Sequence, residues 1–280
     1  MDLLRFCLDM RCALYQCGQV ARALKGKIER EEKEPDSIHQ MSTSVSVVDR
    51  LCQEILLLRA AEMAPWLAVQ SEELADLPAA ILALFGHQGE RYALILDPVD
   101  GTGDYLDGKN TYAHMLGVLD QQTGRMACGM IYFPELSRLY LAVRGVGAFV
   151  STGFWATLRP MRRLQPGQTP PRTVEDVKRL QPSDYPMFTK LSFELVPPES
   201  ASAAYELTRV AEAKLGAMVM RHFHGHDTAI SSVFIEELGG AVLDERGEPV
   251  TYELEMPRTP LIVSSLLPAY AQELVSALRS

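Results

Sequence analysis

The sequence contains, at residues 92–102, the run Tyr92-Ala93-Leu94-Ile95-Leu96-Asp97-Pro98-Val99-Asp100-Gly101-Thr102. It begins as an apolar segment of strand type, and Pro98 with Gly101 then predicts a turn that leads into a helix. Such a strand would deliver the carboxylates of Asp97 and Asp100 to one place, beside the backbone N–H groups of the helix start. Carboxylate oxygens suit hard divalent cations, and N–H groups at a helix start suit a phosphate. The run therefore predicts a site for metal ions and a phosphate.

Composition limits the classes of protein to consider. A chain of 280 residues, 47% hydrophobic and 22% charged, is long enough for one large or two medium globular domains. Its formal net charge of −9 argues against a general nucleic-acid binder, which would normally carry a basic face. The same charge does not exclude small anionic substrates, because a bound metal reverses the local field.

The sequence shows no targeting or membrane signal. No apolar run approaches the roughly 20 residues that span a bilayer, and Met1–Arg5 lacks the basic start of a signal peptide. We therefore expect a cytoplasmic protein with no membrane association. The five cysteines form no C-x-x-C pair, which predicts free thiols. Cys7, Cys12 and Cys17 recur along the first predicted helix, where we interpret them as small buried hydrophobes.

Helices and a β-meander are predicted in the first half. Helical periodicity covers Leu3–Leu24, and a second helix would run from Asp49, as a possible N-terminal cap, through Leu58. A short strand from residue 67 would end on Glu72 and Glu73. Strand-like segments separated by turn residues then follow, at Met115–Leu119, Met126–Tyr132, Leu139–Val143 and Ala148–Val150.

A polar segment from Arg159 to about Pro186 predicts the junction between the halves 1–158 and 159–280. His222, His224 and His226 alternate, which favours one solvent-facing side of a strand over a metal site. Asp227 would begin a helix that Gly239-Gly240 ends. The other predicted elements are strands at Leu191–Val196, Ala217–Met220 and Pro260–Val263, and helices at Ala203–Leu215 and Ala269–Leu278. The whole pattern indicates the α/β class.

Three motifs together resemble one known family. Asp97–Thr102 is similar to the first signature of the inositol monophosphatase family of Mg-dependent, lithium-sensitive sugar phosphatases, and His226–Ala229 with Glu236–Gly240 is similar to its second. Ser71-Glu72-Glu73 lies at the usual distance before the first motif, and Ala201–Ala204 and Gly145–Phe149 also match. The resemblance implies a layered α/β/α/β/α sandwich that hydrolyses a small phosphomonoester with Mg²⁺ and works as a homodimer.

The resemblance also implies roles for individual residues. Two or three Mg²⁺ ions would be held, a number consistent with two ions clamping an in-line displacement. The metal ligands would be the carboxylates of Glu72, Asp97, Asp100 and Asp227 and the carbonyl oxygen of Val99. The catalytic residues would be Asp49, Thr102 and Glu72, with the Thr102 hydroxyl paired to Asp49 orienting a water that the metal activates. The phosphate and substrate contacts would come from Gly101, Thr102, Ser202 and Arg221.

Some positions depart from the family pattern. His226 stands where the second signature usually has Trp, and Gly103-Asp104 replaces a common Thr-Asn. The loop from Lys33 to Ser46 lacks the usual Lys-and-Pro pattern. Met220 lies seven residues before Asp227, where inositol-selective members place a Glu, and its side chain cannot bind substrate hydroxyls. This departure argues against myo-inositol monophosphate as the preferred substrate.

Two alternative functions stay open. In the first, the enzyme is a 3′-phosphoadenosine 5′-phosphate or fructose 1,6-bisphosphate phosphatase, in which Arg221 and the Arg159–Arg163 cluster receive the second phosphate; an ordinary surface arginine is the competing interpretation of Arg221. In the second, the chain is a regulatory or binding protein that keeps the fold without turnover. The retained carboxylates argue against this second alternative, because like charges held together without a metal repel one another.

Overall fold

The computed structural model describes residues 1–28, 31–32, 44–73, 78–86, 90–152, 161–165, 169–175, 185–223 and 225–279. Parts of the Lys33–Ser46 loop and of the Arg159–Pro186 segment, together with His224, lie outside the described residues. The helices are α1 (Leu3–Leu24), α2 (Val47–Met63), α3 (Ala79–Leu82), α4 (Thr102–Leu106), α5 (Tyr185–Lys190), α6 (Ala203–Ala211), α7 (Gly225–Glu237) and α8 (Pro268–Leu278). The strands are β1 (Glu31–Glu32), β2 (Ser44–Val45), β3 (Ala68–Ser71), β4 (Tyr92–Asp100), β5 (Ala113–Asp120), β6 (Arg125–Phe133), β7 (Arg138–Val143), β8 (Gly147–Thr152), β9 (Arg162–Arg163), β10 (Thr173–Glu175), β11 (Glu194–Val196), β12 (Ala217–Phe223), β13 (Ala241–Asp244) and β14 (Thr259–Ser265).

Two large sheets carry the architecture. The first has seven strands in the order β3-β4-β5-β6-β7-β8-β9, antiparallel except for the parallel β3–β4 pair. The second is a mixed sheet of five strands in the order β11-β10-β12-β14-β13. Helices α6 and α7 pack between the sheets, α1 and α2 cover the outer face of the first, and α8 covers the second. This arrangement confirms the predicted α/β/α/β/α layering.

Strand β4 lies at the centre of this packing. Ala93 and Ile95 belong to the core between the two sheets, whereas Leu94 and Leu96 belong to the core beneath α1 and α2. Because successive side chains of a strand point to opposite faces, a strand covered on both sides needs an uninterrupted apolar run. The same burial carries Asp97 and Asp100, at the end of the strand, into the interior.

The N-terminus of α2 differs from the prediction. The helix begins at Val47, with Ser46 as its N-cap, and Asp49 occupies the third helical position of a capping box. The Ser46 hydroxyl accepts from Val48 N, and the Asp49 carboxylate accepts from Ser46 N at 2.8 Å. Asp49 therefore helps to cap the helix from inside it, and the expectation that it is the cap residue itself was wrong.

Most other predicted elements are present with shifted ends. Helix α1 has the predicted bounds, and the strands of the meander are each extended by one to three residues at one or both ends. Helix α6 ends at Ala211, ahead of Ala213, whose φ of 57° is left-handed. Strand β9 pairs with β8, so the first sheet continues beyond residue 158. The elements that were not predicted span two to six residues each, too few to show a periodicity: α3, α5, β1, β2, β9, β10 and β13.

Two predictions about side-chain burial were wrong. Cys7 and Cys17 are buried free thiols as expected, but Cys12 is exposed, because a five-residue step turns it away from the α2 side of the helix. His222 is exposed on β12, whereas His226 is 6% exposed, because helix α7 has already begun at Gly225. The solvent-facing strand predicted for the histidines therefore ends before His226. Within the described ranges, no helix has the length and apolar character needed to cross a bilayer.

Candidate metal and phosphate site

The turn after β4 is built on a β-bulge. Asp97 pairs with Met115 and Asp100 pairs with Ala113, so β4 carries one residue more than β5 between the same two pairs. Asp97 is 1% and Asp100 is 5% exposed. Asp97 and Asp100, on either side of the bulge, thus form a buried acidic site at the end of β4.

Gly101 joins this turn to two helices. Its φ of +78° is left-handed, and a Cβ built on it would lie 2.9 Å from the Ser202 Cβ. Glycine is required there for both reasons, because a side chain would be strained and would displace the start of α6. Helix α4 begins at the next residue, Thr102, and the first N–H groups of any helix lack a partner within that helix. This backbone would face the phosphate in the predicted role of Gly101 and Thr102.

The Thr102 hydroxyl lies between two acceptors. Its Oγ1 is 3.1 Å from Asp49 Oδ1 and 2.8 Å from the Val99 carbonyl oxygen. A hydroxyl has one proton, so it donates to one of these oxygens at a time. The contact with Asp49 is the pairing that the family resemblance implies.

Asp49 is held from its other side by the capping box. Its Oδ2 accepts from Ser46 N and, at 2.6 Å, from Ser46 Oγ. Burial raises the pKa of Asp49 to about 6, and the charge of Glu72 adds to this effect, whereas the hydrogen bonds from Ser46 and Thr102 oppose it. A carboxyl group with a pKa near neutrality can accept a proton and release it again under physiological conditions.

Asp100 is bound to the N-terminus of α6. It accepts from the hydroxyl of Ser202 and from the backbone N–H groups of Ala203 and Ala204, at 3.2 and 3.1 Å. Burial, together with the charge of Glu72, raises the pKa of Asp100 to about 7, although these hydrogen bonds lower it. Ser202 is fully buried and contacts the carboxylate, so its predicted contact with substrate stays a prediction.

Glu72 and Asp227 would complete the predicted ligand set. Glu72 follows β3, and its N–H donates to Leu96 O at 3.2 Å, beside the end of β4. Its side chain is exposed. Asp227 lies in the first turn of α7, which packs against β4, but its side chain is outside the described part. Among the residues that the structure describes, no three His, Cys, Asp or Glu side chains are arranged as a metal cage.

The donor set nevertheless fits Mg²⁺. The predicted ligand atoms are all oxygens. Desolvation and the charge of Glu72 raise the pKa of the ligand Asp100 and of the neighbouring Asp49. A divalent cation would remove this cost by supplying the opposite charge. Asp100 accepts three hydrogen bonds from the start of α6, and a carboxylate has lone pairs for a metal ion as well.

Strand β12 carries the two residues predicted to lie on the substrate side of the site, Met220 and Arg221. Met220 is fully buried in the core between the two sheets, and Arg221, the next residue of β12, is half-buried. An ordinary exposed arginine is therefore a poor description of Arg221. Its predicted contact with an anionic group stays a prediction.

Two residues near the site were not predicted to matter. Asp104 accepts from Lys109 Nζ at 2.6 Å, Ser200 Oγ at 2.7 Å and Ala201 N at 2.9 Å. His114 places Nδ1 2.6 Å from the Pro98 carbonyl oxygen. The sequence signal for Asp104 was the Gly103-Asp104 departure, and for His114 it was a titratable residue within an apolar strand.

The sequence matches the model of a known family over nearly its whole length. The sequence model described as the inositol monophosphatase family matches residues 8–279. The chain belongs to the inositol monophosphatase family.

Relatives within this family carry different names. The chain is 26% identical over 209 residues to a histidinol-phosphatase of Chlorobaculum parvum, covering 73% of this chain and 74% of that protein. It is 25% identical over 239 residues to the putative Nus factor SuhB of Neisseria meningitidis, covering 84% and 85%. A solved IMPase/NADP phosphatase complexed with Mg²⁺ and phosphate superposes with a TM-score of 0.74 at 19% identity, covering 98% and 96%. This last similarity shows the fold.

Proposed function

We propose that this member of the inositol monophosphatase family hydrolyses a small phosphomonoester, a sugar or polyol phosphate, in a reaction that depends on Mg²⁺. The observation that carries the proposal is the Thr102 hydroxyl, which lies within hydrogen-bond distance of both Asp49 and the Val99 carbonyl, beside the buried Asp97 and Asp100. The family match and the similarity to a fold solved with Mg²⁺ and phosphate support it.

Mg²⁺ would be held by the carboxylates of Glu72, Asp97, Asp100 and Asp227 and by the Val99 carbonyl. When bound, it supplies positive charge that stabilises the phosphoryl group and makes an attacking water more acidic. Two or three ions are proposed on the resemblance alone.

The protein's own residues would orient the nucleophile. When Thr102 donates its proton to Asp49, its Oγ1 lone pairs would accept a hydrogen bond from the attacking water. Asp49 has a pKa of about 6 and is therefore mostly ionised at neutral pH. It would accept the Thr102 proton as Thr102 accepts one from the water. The N–H groups of Gly101 and Thr102 would hold the phosphate in line with that water.

The decisive experiment measures phosphate release from a panel of sugar phosphates, inositol phosphates, histidinol phosphate, fructose 1,6-bisphosphate and 3′-phosphoadenosine 5′-phosphate. Each compound is tested with Mg²⁺, with chelator and with Asp97→Asn. We expect release that requires both Mg²⁺ and Asp97, with a loss of at least about 100-fold in the variant, as for other groups that act directly in catalysis. A thermal melt confirms that the variant is folded.

The ranking of compounds separates the alternatives. Preference for a bisphosphate would favour the first alternative, in which Arg221 receives the second phosphate. No release from any compound, by a folded protein that still binds Mg²⁺, would contradict the proposal and favour a regulatory or binding protein. The relative named as a putative Nus factor is the observation that keeps this second possibility open.

We also propose, on the family resemblance, a homodimer that acts in the cytoplasm on a small metabolite, without nucleic acid or membrane as partner. Light scattering after size-exclusion chromatography measures the subunit number directly, and a monomeric mass would contradict the dimer.

A further inference from the structure

A buried histidine lies opposite the metal-binding turn. His114, on β5, is 0% exposed, and its Nδ1 is 2.6 Å from the carbonyl oxygen of Pro98. Because a carbonyl oxygen only accepts, the Nδ1 atom carries the proton and donates it. The contact therefore fixes both the tautomer and the orientation of the ring.

The bulge explains why a side chain is needed at this point. Between the pairs Asp97–Met115 and Asp100–Ala113, His114 is the single β5 residue opposite Pro98 and Val99. The regular ladder of backbone hydrogen bonds is interrupted there, and proline has no N–H to contribute. A buried carbonyl that loses its partner costs free energy, so the imidazole N–H replaces a donor that the strand pairing does not supply.

We propose that His114 is a positioning residue of the metal site, whose Nδ1–H holds the Pro98 carbonyl and thereby orients Asp97, Val99 and Asp100. The inference rests on the metal-binding role proposed above. Pro98 lies between two of the predicted ligands in the chain, so a rotation of its peptide plane would redirect the carboxylate before it and the carbonyl after it.

The His114 ring lies in a buried part of the molecule, on the face of β5 that α1 and α2 cover. Cys52, on α2, is fully buried, and burial and the hydrogen bond with Cys17 raise the pKa of its thiol, whereas His114 lowers it. Tyr112 and Tyr132 pack around the imidazole, with ring centroids at 6.0 and 6.4 Å. His114 is thus held between the Pro98 carbonyl and two tyrosine rings, and this burial limits the movement of its ring.

Three substitutions separate the donor from the volume of the ring. His114→Asn keeps an N–H donor near the position of Nδ1, His114→Gln moves the donor toward the position of Nε2, and His114→Leu removes it. Leu116→Val is the matched control, because Leu116 is buried on the same face of β5 two residues away, and its aliphatic side chain has no hydrogen-bond donor to offer the turn. All variants are made in the chain of 280 residues.

The first measurement is Mg²⁺ binding by calorimetry in the absence of substrate. We expect Kd to rise at least about 10-fold in His114→Leu and His114→Gln, as for other residues that orient metal ligands. His114→Asn should stay within about threefold of the wild type. Leu116→Val should lower the melting temperature and leave Kd unchanged. If His114→Leu does not fold, His114→Gln against His114→Asn provides the same comparison.

The second measurement is amide hydrogen exchange of residues 97–102 in chelator, which does not require metal binding. Exchange should be about 10-fold faster in His114→Leu and unchanged in His114→Asn. Equal Kd and equal exchange in all variants, or equal losses in His114→Asn and His114→Leu, would overturn the inference. A wild-type protein that binds no Mg²⁺ would overturn the proposed function and the metal part of this inference, whereas the exchange comparison would still decide whether His114 orders the turn.

Discussion

At the scale of single residues, the candidate site contains a hydroxyl group that lies between two acceptor oxygens. The Thr102 hydroxyl has one proton and two acceptors, the Val99 carbonyl and Asp49. Asp49 in turn accepts from both Ser46 and Thr102, so one carboxylate both caps a helix and pairs with the hydroxyl of the site. The local signal for a helix cap and the predicted catalytic pairing were not alternatives; the structure has both.

Removing the Thr102 hydroxyl tests its proposed role in orienting the attacking water. Thr102→Val keeps the shape of the side chain and removes the hydroxyl, so kcat should fall by about 100-fold or more, because the attacking water loses its orienting acceptor. KM should change little. Thr102→Ser retains the hydroxyl and should keep kcat within about 10-fold. Steady-state phosphate release measures both constants, and a Thr102→Val variant with wild-type kcat would rule out this role for Thr102.

At the scale of elements, the site is the meeting point of β4, α2, α4 and the start of α6. Asp100 binds the N-terminus of α6, and Gly101 leaves the space that Ser202 fills. Asp104 then binds Ser200 and Ala201 ahead of the same helix. Hydrogen bonds from Asp100 and Asp104 thus hold the end of β4 and helix α4 against the start of α6.

Replacing Asp104 tests how much its buried hydrogen bonds stabilise the fold. The residue is 1% exposed, and although burial acts against it, hydrogen bonds from Lys109, Ser200, Ala201 and Thr111 lower the pKa of its carboxyl. Asp104→Ala should therefore lower the free energy of unfolding by about 3 kcal/mol, since it strands several buried donors. Lys109→Ala should cost less than about 1 kcal/mol, because that side chain is 51% exposed.

Urea unfolding at neutral pH measures the difference. The stability from Asp104 is present above the ordinary carboxyl pKa and is lost as pH falls through its lowered value. Equal effects of Asp104→Ala and Lys109→Ala would show that the surface ion pair, and not the buried network, carries the stabilisation.

At the scale of the whole molecule, burial of the acidic site makes stability depend on pH. The pKa of Asp49 is raised to about 6 and that of Asp100 to about 7 in the folded protein, both above their ordinary value of 3.8. A raised carboxyl pKa stabilises the folded state below the unfolded pKa, and this contribution is lost as pH rises through the folded pKa. The relevant window is therefore about pH 4 to 7, and ionisation above it destabilises the metal-free protein.

The prediction is a difference in slope between variants. In chelator, from pH 5 to 8, the wild type should lose about 3 kcal/mol of stability relative to Asp100→Asn, at about 1.4 kcal/mol per pKa unit. Asp107→Asn, at an exposed position, should follow the wild type. Mg²⁺ should stabilise the wild type more at pH 8 than at pH 5. Parallel slopes for the wild type and Asp100→Asn would contradict the effect of burial.

The sequence by itself determined most of the helices and strands and the family of the protein. Apolar periodicity and turn residues are local properties, so α1, the β-meander and the strand–turn–helix at 92–106 were predicted closely. Three motifs in order, at Ser71–Glu73, Asp97–Thr102 and His226–Gly240, likewise indicated the family that the match over residues 8–279 then confirmed. Local signals failed where an element was too short for a periodicity, as in β9 and β10, or where a helix began before the expected residue, as at His226.

Only the tertiary structure decided which groups meet. The Asp49–Thr102 hydrogen bond joins residues 53 positions apart, and the Ser202–Asp100 hydrogen bond joins residues 102 positions apart. The bulge that places His114 against Pro98 depends on the register between two strands. These contacts follow from how the layers pack, and no local pattern encodes them, because a hydrogen bond between distant residues forms only where packing brings donor and acceptor together and excludes water.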